Sequence, residues 1–177
     1  HEHGFSVPQM IAEDVEHGFL LLEDFGDACM TKILRGEVEG PVPEREALYA
    51  LAVDAIAALQ NAPTPEELGQ YDNARLIKEV SALAEWYVPF IQKRPTPQAV
   101  SDEYRQLWQD VLEQTHTLPE RFVYLDYHVD NLMWLPEREG VQRLGMLDFQ
   151  DAALGSPAYD VVSLLQDARV DVDEALT

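Results

Sequence analysis

Asp126, Asn131 and Asp148 are the residues of this sequence whose types and spacing could do chemistry. They lie in YLDYHVDNLMWLPEREGVQRLGMLDFQD, residues 124–151. Asp126 stands five positions before Asn131, and a hairpin-like segment then leads to an apolar strand ending in Asp148. Two adjacent strand ends would thus deliver three oxygen-bearing groups. Phosphoryl transfer needs such a set: a carboxylate to accept a hydroxyl proton, and an amide and a carboxylate to hold Mg²⁺.

Each residue also has a plainer reading. Asp126 follows a strand directly, so it can face a cleft as a general base while its backbone stays anchored. Alone, an Asp in that place is more often a turn residue bonded to its own backbone. Asp130-Asn131 could be a turn pair, but an Asn entering the apolar run Leu132-Met133-Trp134 must direct its amide at a metal or a backbone group. His128 has no His or Cys partner at ligand spacing and reads as a loop brace bonded to backbone. His1, His3 and His17 read as surface residues. Asp160 falls in the first turn of a helix, where its charge suits the dipole. There it could also brace the loop by accepting backbone N–H groups, a structural role. The chain has no nucleophile elbow, no G-x-G-x-x-G and no P-loop, and Cys29 stands in no motif.

The elements that must position these groups are legible from periodicity and breakers. Residues 9–14 and 19–24 are apolar runs around Gly18 and predict a β-hairpin. A short helix is expected near 28–34, then a Gly- and Pro-rich loop over 35–43. From Glu44, Leu48, Leu51, Ala52, Ala55, Ile56 and Leu59 mark one helical stripe that Pro63 and Pro65 terminate. Asp72 or Asn73 caps a second helix, with Leu76, Ile77, Val80, Leu83, Ala84, Trp86 and Tyr87 as its core stripe. A third, over about 99–114, points Tyr104, Leu107, Trp108, Val111 and Leu112 inward. Strands follow at 122–125, 132–135 and 141–147, and Pro157 opens a last helix. The order is mixed α+β, without the alternation of a doubly wound sheet.

Composition narrows the function class. The 177 residues are 46% apolar, as in an ordinary globular domain. Twelve Lys and Arg against 33 Asp and Glu give a formal charge of −21. That argues against a nucleic-acid partner, which needs a basic face, and fits a solvated surface or a cationic substrate. No apolar run is long enough to span a bilayer, no secretory leader opens the chain, and a single cysteine fits a reducing compartment. A cytoplasmic protein without membrane or nucleic-acid partners is the expectation.

The loop Tyr124-Leu125-Asp126-Tyr127-His128-Val129-Asp130-Asn131, with Leu147-Asp148-Phe149-Gln150-Asp151-Ala152, resembles the H-x-D-x-H-x-x-N and I-D-[FW]-x-D-A motifs of the aminoglycoside phosphotransferase and choline-kinase-like family. That family has a protein-kinase-like fold. More narrowly, LLLEDFGD, YHVDNLMWLPER, LDFQDA and AYDVVSLLQDAR look like the bacterial kinases that phosphorylate the anomeric hydroxyl of N-acetylmuramate and N-acetylglucosamine in cell-wall recycling. The resemblance runs from Pro8 to about Val172. It implies an ATP- and Mg²⁺-dependent transfer to a small-molecule acceptor. Asp126 would be the base, Asn131 and Asp148 would hold the metal and its nucleotide, and Glu23 and Phe25 would offer the hinge carbonyl and N–H to adenine. The implied layout is a helical C-terminal lobe over 25–177, with 1–24 as the last hairpin of the N-terminal lobe and the hinge.

Tyr124 departs from the family's first His, a bracing position, and Gln150 stands where protein kinases place a Gly. The family's phosphate-covering loop and strand Lys belong before the hairpin, and further helices belong after Thr177. Lys32 follows the hinge and cannot be that Lys. The expectation is a fragment that alone binds nucleotide poorly. Two rivals are an aminoglycoside kinase and a non-catalytic pseudokinase or interaction module.

Overall fold

The computed structural model describes residues 3–115 and 119–173. His1 lies outside the described residues, as does the part beyond Asp173 of the lobe expected over 25–177.

Strands β1 (Met10–Asp14) and β2 (Phe19–Leu22) form the expected antiparallel hairpin, turning at Gly18 with φ +74°. A left-handed residue there is what a tight turn demands and what glycine tolerates. Helix α1 (Met30–Leu34) follows, then α2 (Arg45–Asn61). The α2 stripe Leu48, Ala52, Ala55 and Ile56 is buried as its spacing predicts, and Tyr49 joins it. The helix stops two residues before Pro63, as a proline requires of the residue ahead of it.

Strand β3 (Gly69–Gln70) is a feature that periodicity does not reveal. It is followed by α3 (Asn73–Ala82), whose N-terminus is capped by the Asp72 side chain accepting the Arg75 N–H at 2.9 Å. The helix then runs through a π turn at Leu83–Tyr87 into α4 (Val88–Gln92). Pro89 has no N–H to give Glu85, and the Val88 N–H reaches back to Leu83 instead. The extra residue of a π turn rotates the apolar stripe by about 100°. The expected core positions Trp86 and Tyr87 therefore face out, Trp86 being 75% exposed; Leu83, at the start of the turn, is exposed as well, while Ala84 is buried. Leu107 and Val111 of α5 (Gln98–Thr115) are also exposed, contrary to the stripe reading. Leu83, Trp86 and Tyr87 line an open apolar groove of about 780 Å³ together with Val80, Phe90 and Tyr104.

The β-cluster carries the site. Strand β4 (Arg121–Val123) ends two residues earlier than expected. A 3₁₀ turn at Val129–Asn131 leads into β5 (Leu132–Trp134), which pairs antiparallel with β6 (Leu144–Met146). The first part of the strand expected over 141–147 is a 3₁₀ turn, Gly140–Arg143. Strand β7 (Ala153–Gly155) pairs with β4 and, in parallel, with β3. Helix α6 (Ala158–Leu165) begins directly after Pro157. The main core joins α1, α2 and α6 to the loop residues Tyr124, Tyr127 and Val129 and to Leu132, Leu144 and Met146. The loop is thus built into the core rather than laid over it.

Candidate active site

The segment from Tyr124 to Asn131 connects β4 to β5 and is fixed at each turn. Asp160 on α6 is buried, and its two carboxylate oxygens accept the N–H of Tyr124 at 2.7 Å and of Leu125 at 2.9 Å. Leu125 sits at φ +74°, a left-handed conformation rare for a branched side chain. The pair of bonds from Asp160 holds that backbone in place. Burial raises the Asp160 carboxyl to about 6, and the two N–H groups oppose the shift. Strain of this kind gathers where a fold positions functional groups.

The turn presents Asp126 half-buried, immediately after the strained residue. The Asn131 amide donates to the Asp126 carbonyl at 3.0 Å, which ties the two ends of the turn together. Its nitrogen also lies 3.3 Å from His128 Nε2. His128 therefore braces the loop through the Asn131 side chain, not through a ring bond to backbone as the sequence suggested. Its Nδ1 is buried with no partner among the described residues. The bonds of the Asn131 side chain within the loop thus run through its nitrogen.

Asp148 is reached from the neighbouring strand. The Leu147 N–H donates to the Asn131 carbonyl at 2.9 Å, so the residue before Asp148 is bonded to the second site residue. The Tyr124 hydroxyl donates to the Leu147 carbonyl. Tyr124 is buried, and burial followed by the nearby Asp148, Asp160 and Asp126 carboxylates raises its pKa, so it remains an O–H donor. The departure from His at this position thus keeps a bond to the strand that carries Asp148. Asp148 itself is exposed, has φ +63°, and accepts a bond from the Gln150 amide.

Glu23 and Phe25 leave β2 beside this cluster. The Glu23 N–H closes the hairpin on the Gln9 carbonyl at 2.8 Å, and its carboxylate pairs with Arg138. The Arg138 guanidinium lies 4.9 Å from the centre of the Phe25 ring. That ring packs on Gly145 of β6, where an added Cβ would stand 2.7 Å from Phe25 Cδ2. All five expected site residues are therefore linked through β5 and β6.

The APH phosphotransferase enzyme family model matches residues 1–177. This chain belongs to that family. The sequence is 36% identical over 176 residues to the N-acetylmuramate/N-acetylglucosamine kinase of Caulobacter vibrioides, covering 94% of this chain and 47% of that protein. It is 34% identical over 173 residues to the enzyme of the same name from Pseudomonas putida, covering 96% and 47%. The chain spans about half the length of the curated relatives it matches. Among solved structures it resembles the ADP-bound aminoglycoside phosphotransferase APH(2'')-Ib, with a TM-score of 0.62 at 14% identity, over 98% of this chain and 57% of that one. The gentamicin complex of APH(2")-IIa gives 0.64 at 12% identity, with the same coverage. The fold is thus the kinase-like fold of this family, mixed α+β as expected.

Three positions that matter to the geometry were not legible as site residues. Asp167, Arg169 and Thr31 all reach the loop from distant parts of the chain. Among the described residues no group of three or more His, Cys, Asp or Glu gathers as a metal site. The donor set nonetheless fits Mg²⁺: one amide oxygen and one carboxylate are hard ligands, and this ion ordinarily completes its shell with water and phosphate. Among the described residues no helix is long and apolar enough to cross a membrane.

Proposed function

We infer that this chain supplies the base and the metal side of an ATP-dependent kinase acting on a small-molecule hydroxyl. The acceptor is the anomeric hydroxyl of N-acetylmuramate or N-acetylglucosamine. The observation that carries this reading is the identity of 32–36% to four relatives bearing that name, along nearly the whole chain. Residues 1–24 are the end of the smaller lobe leading to the hinge, and 25–177 belong to the larger lobe.

In this reading Asp126 orients the acceptor hydroxyl and takes its proton as the phosphoryl group transfers. Proton acceptance of this kind is worth about 10²–10⁴-fold. The Asn131 oxygen and the Asp148 carboxylate hold Mg²⁺, which neutralises charge on the phosphates when bound. The Glu23 carbonyl and Phe25 N–H bind the adenine edge. The engagement of the Glu23 N–H within the hairpin supports the choice of its carbonyl.

The test is a transfer assay on the full-length protein with ATP, Mg²⁺ and a panel of both amino sugars, gentamicin and streptomycin. Phosphorus NMR would identify the product. An anomeric sugar phosphate is expected. Phosphate on an aminoglycoside and on neither sugar would overturn the acceptor assignment, and nucleotide binding without any transfer would favour a non-catalytic module.

A further inference from the structure

The loop that carries Asp126 and Asn131 is gripped at its second half by a segment 35 or more residues further along. The Asp167 side chain is fully buried, and its Oδ2 accepts the Val129 N–H at 3.1 Å. Its Oδ1 accepts the Arg169 backbone N–H at 3.0 Å and the Arg169 Nη1 at 3.1 Å. The same guanidinium turns its Nε to Asp130 Oδ2 at 2.9 Å. Asp130 also accepts the Thr31 hydroxyl from α1, and the Arg169 carbonyl accepts Arg35 Nη2 at 3.2 Å. Burial disfavours the Asp167 charge, but the N–H groups and the Arg169 guanidinium outweigh it and hold the carboxyl below its ordinary range.

We propose that Arg169 is a positioning residue that fixes Asn131 by joining Asp130 and Asp167 across the 3₁₀ turn. Two carboxylates meet at this turn, Asp130 from within it and the buried Asp167 from the distant segment, and they would repel if nothing stood between them. Arg169 is 42% exposed, so it is not a core residue whose loss empties a cavity. A planar guanidinium can present Nε to one carboxylate and Nη1 to the other, whereas a lysine ammonium is a single point. Asp160 already anchors the Asp126 end of the loop. The consequence of losing Arg169 falls on the Asn131 end, and so on the group assigned to the metal.

This rests on the metal role of Asn131 given above. The experiment compares Arg169→Ala, Arg169→Lys and Asp130→Asn with wild type in the full-length protein, by amide hydrogen exchange and by the Mg²⁺ concentration giving half-maximal rate. Faster exchange at residues 129–131 is expected in Arg169→Ala, with exchange at 124–125 unchanged and Arg169→Lys intermediate. The Mg²⁺ requirement should rise roughly 10-fold, as for loss of a group that orients a metal ligand. Asp130→Asn, which breaks one link and leaves Asp167 satisfied, should move both in the same direction by less. Unchanged exchange at 129–131 overturns the clamp whether or not the protein is a kinase. Faster exchange with an unchanged Mg²⁺ requirement overturns its role toward Asn131. A wild-type protein that transfers no phosphate overturns the functional reading, with the clamp still decided by exchange.

Discussion

Asp160 accepts the N–H of Leu125 at 2.9 Å from 35 positions away, and Leu125 is held in a left-handed backbone conformation. One buried carboxylate thus sets the direction in which the next residue, Asp126, leaves the core. Asn131 and Asp148 are tied to the same frame through Leu147, whose N–H donates to the Asn131 carbonyl.

Asp160 gives a pH signature with two opposite signs. Its folded value is about 6, above the 3.8 of an ordinary aspartate, so between those values the folded state binds more protons. The stabilisation from its neutral form is full below pH 3.8 and is lost as pH rises through about 6, up to about 3 kcal/mol. Activity should run the other way, because the ionised carboxylate is the better acceptor for both N–H groups. In Asp160→Asn the part of the stability slope that Asp160 contributes between pH 4 and 6 should be lost, read as the difference from wild type in denaturation curves. Its activity should fall at every pH, since an amide can accept only one of the two bonds.

Tyr124→Phe removes the hydroxyl that meets the Leu147 carbonyl. A loss of about 1–3 kcal/mol is expected, the cost of leaving a partly buried acceptor unpaired. Turnover should drop with it, because Leu147 precedes Asp148. Thermal unfolding beside a rate measurement would check this, and unchanged values in both would remove Tyr124 from the site's support.

Asp126→Ala should lower turnover about 10²–10⁴-fold while the melting temperature and nucleotide affinity stay near wild type. Among the described residues its side chain accepts none of the bonds that hold the loop; the Asn131 amide uses its backbone carbonyl. Wild-type turnover in this variant would show that another group takes the proton.

Gly145→Ala places a methyl group 2.7–2.8 Å from two Phe25 ring carbons, and the ring has to shift. Crowding of this kind costs about 1–3 kcal/mol. Because Phe25 is the hinge N–H assigned to adenine, nucleotide affinity should weaken more than the acceptor KM. Calorimetric titration with ATP and acceptor kinetics would separate the two.

Trp86→Ser should change stability by less than about 0.5 kcal/mol, as for an exposed side chain. A large loss in chemical denaturation would restore Trp86 to the core and contradict the rotated stripe.

The sequence by itself determined the hairpin at Gly18, the α2 stripe, a cap at Asp72 or Asn73 and the order Asp126, Asn131, Asp148. Each follows from local propensity, short-range periodicity or chemistry carried within a few residues. It also placed Asp160 in a first helical turn, where the dipole favours its charge and a bracing role was open, and the two backbone N–H bonds show that it braces the loop. Only the tertiary structure decided what the loop is fastened to. Asp167 and Arg169 meet it across 38 or more positions, a separation at which no spacing rule operates. The same limit explains β3 and β7, two and three residues long: β7 pairs along β4, and β3 pairs along β7. It explains Trp86 and Tyr87 too, since one missing N–H at Pro89 turns a correct apolar count onto the wrong face.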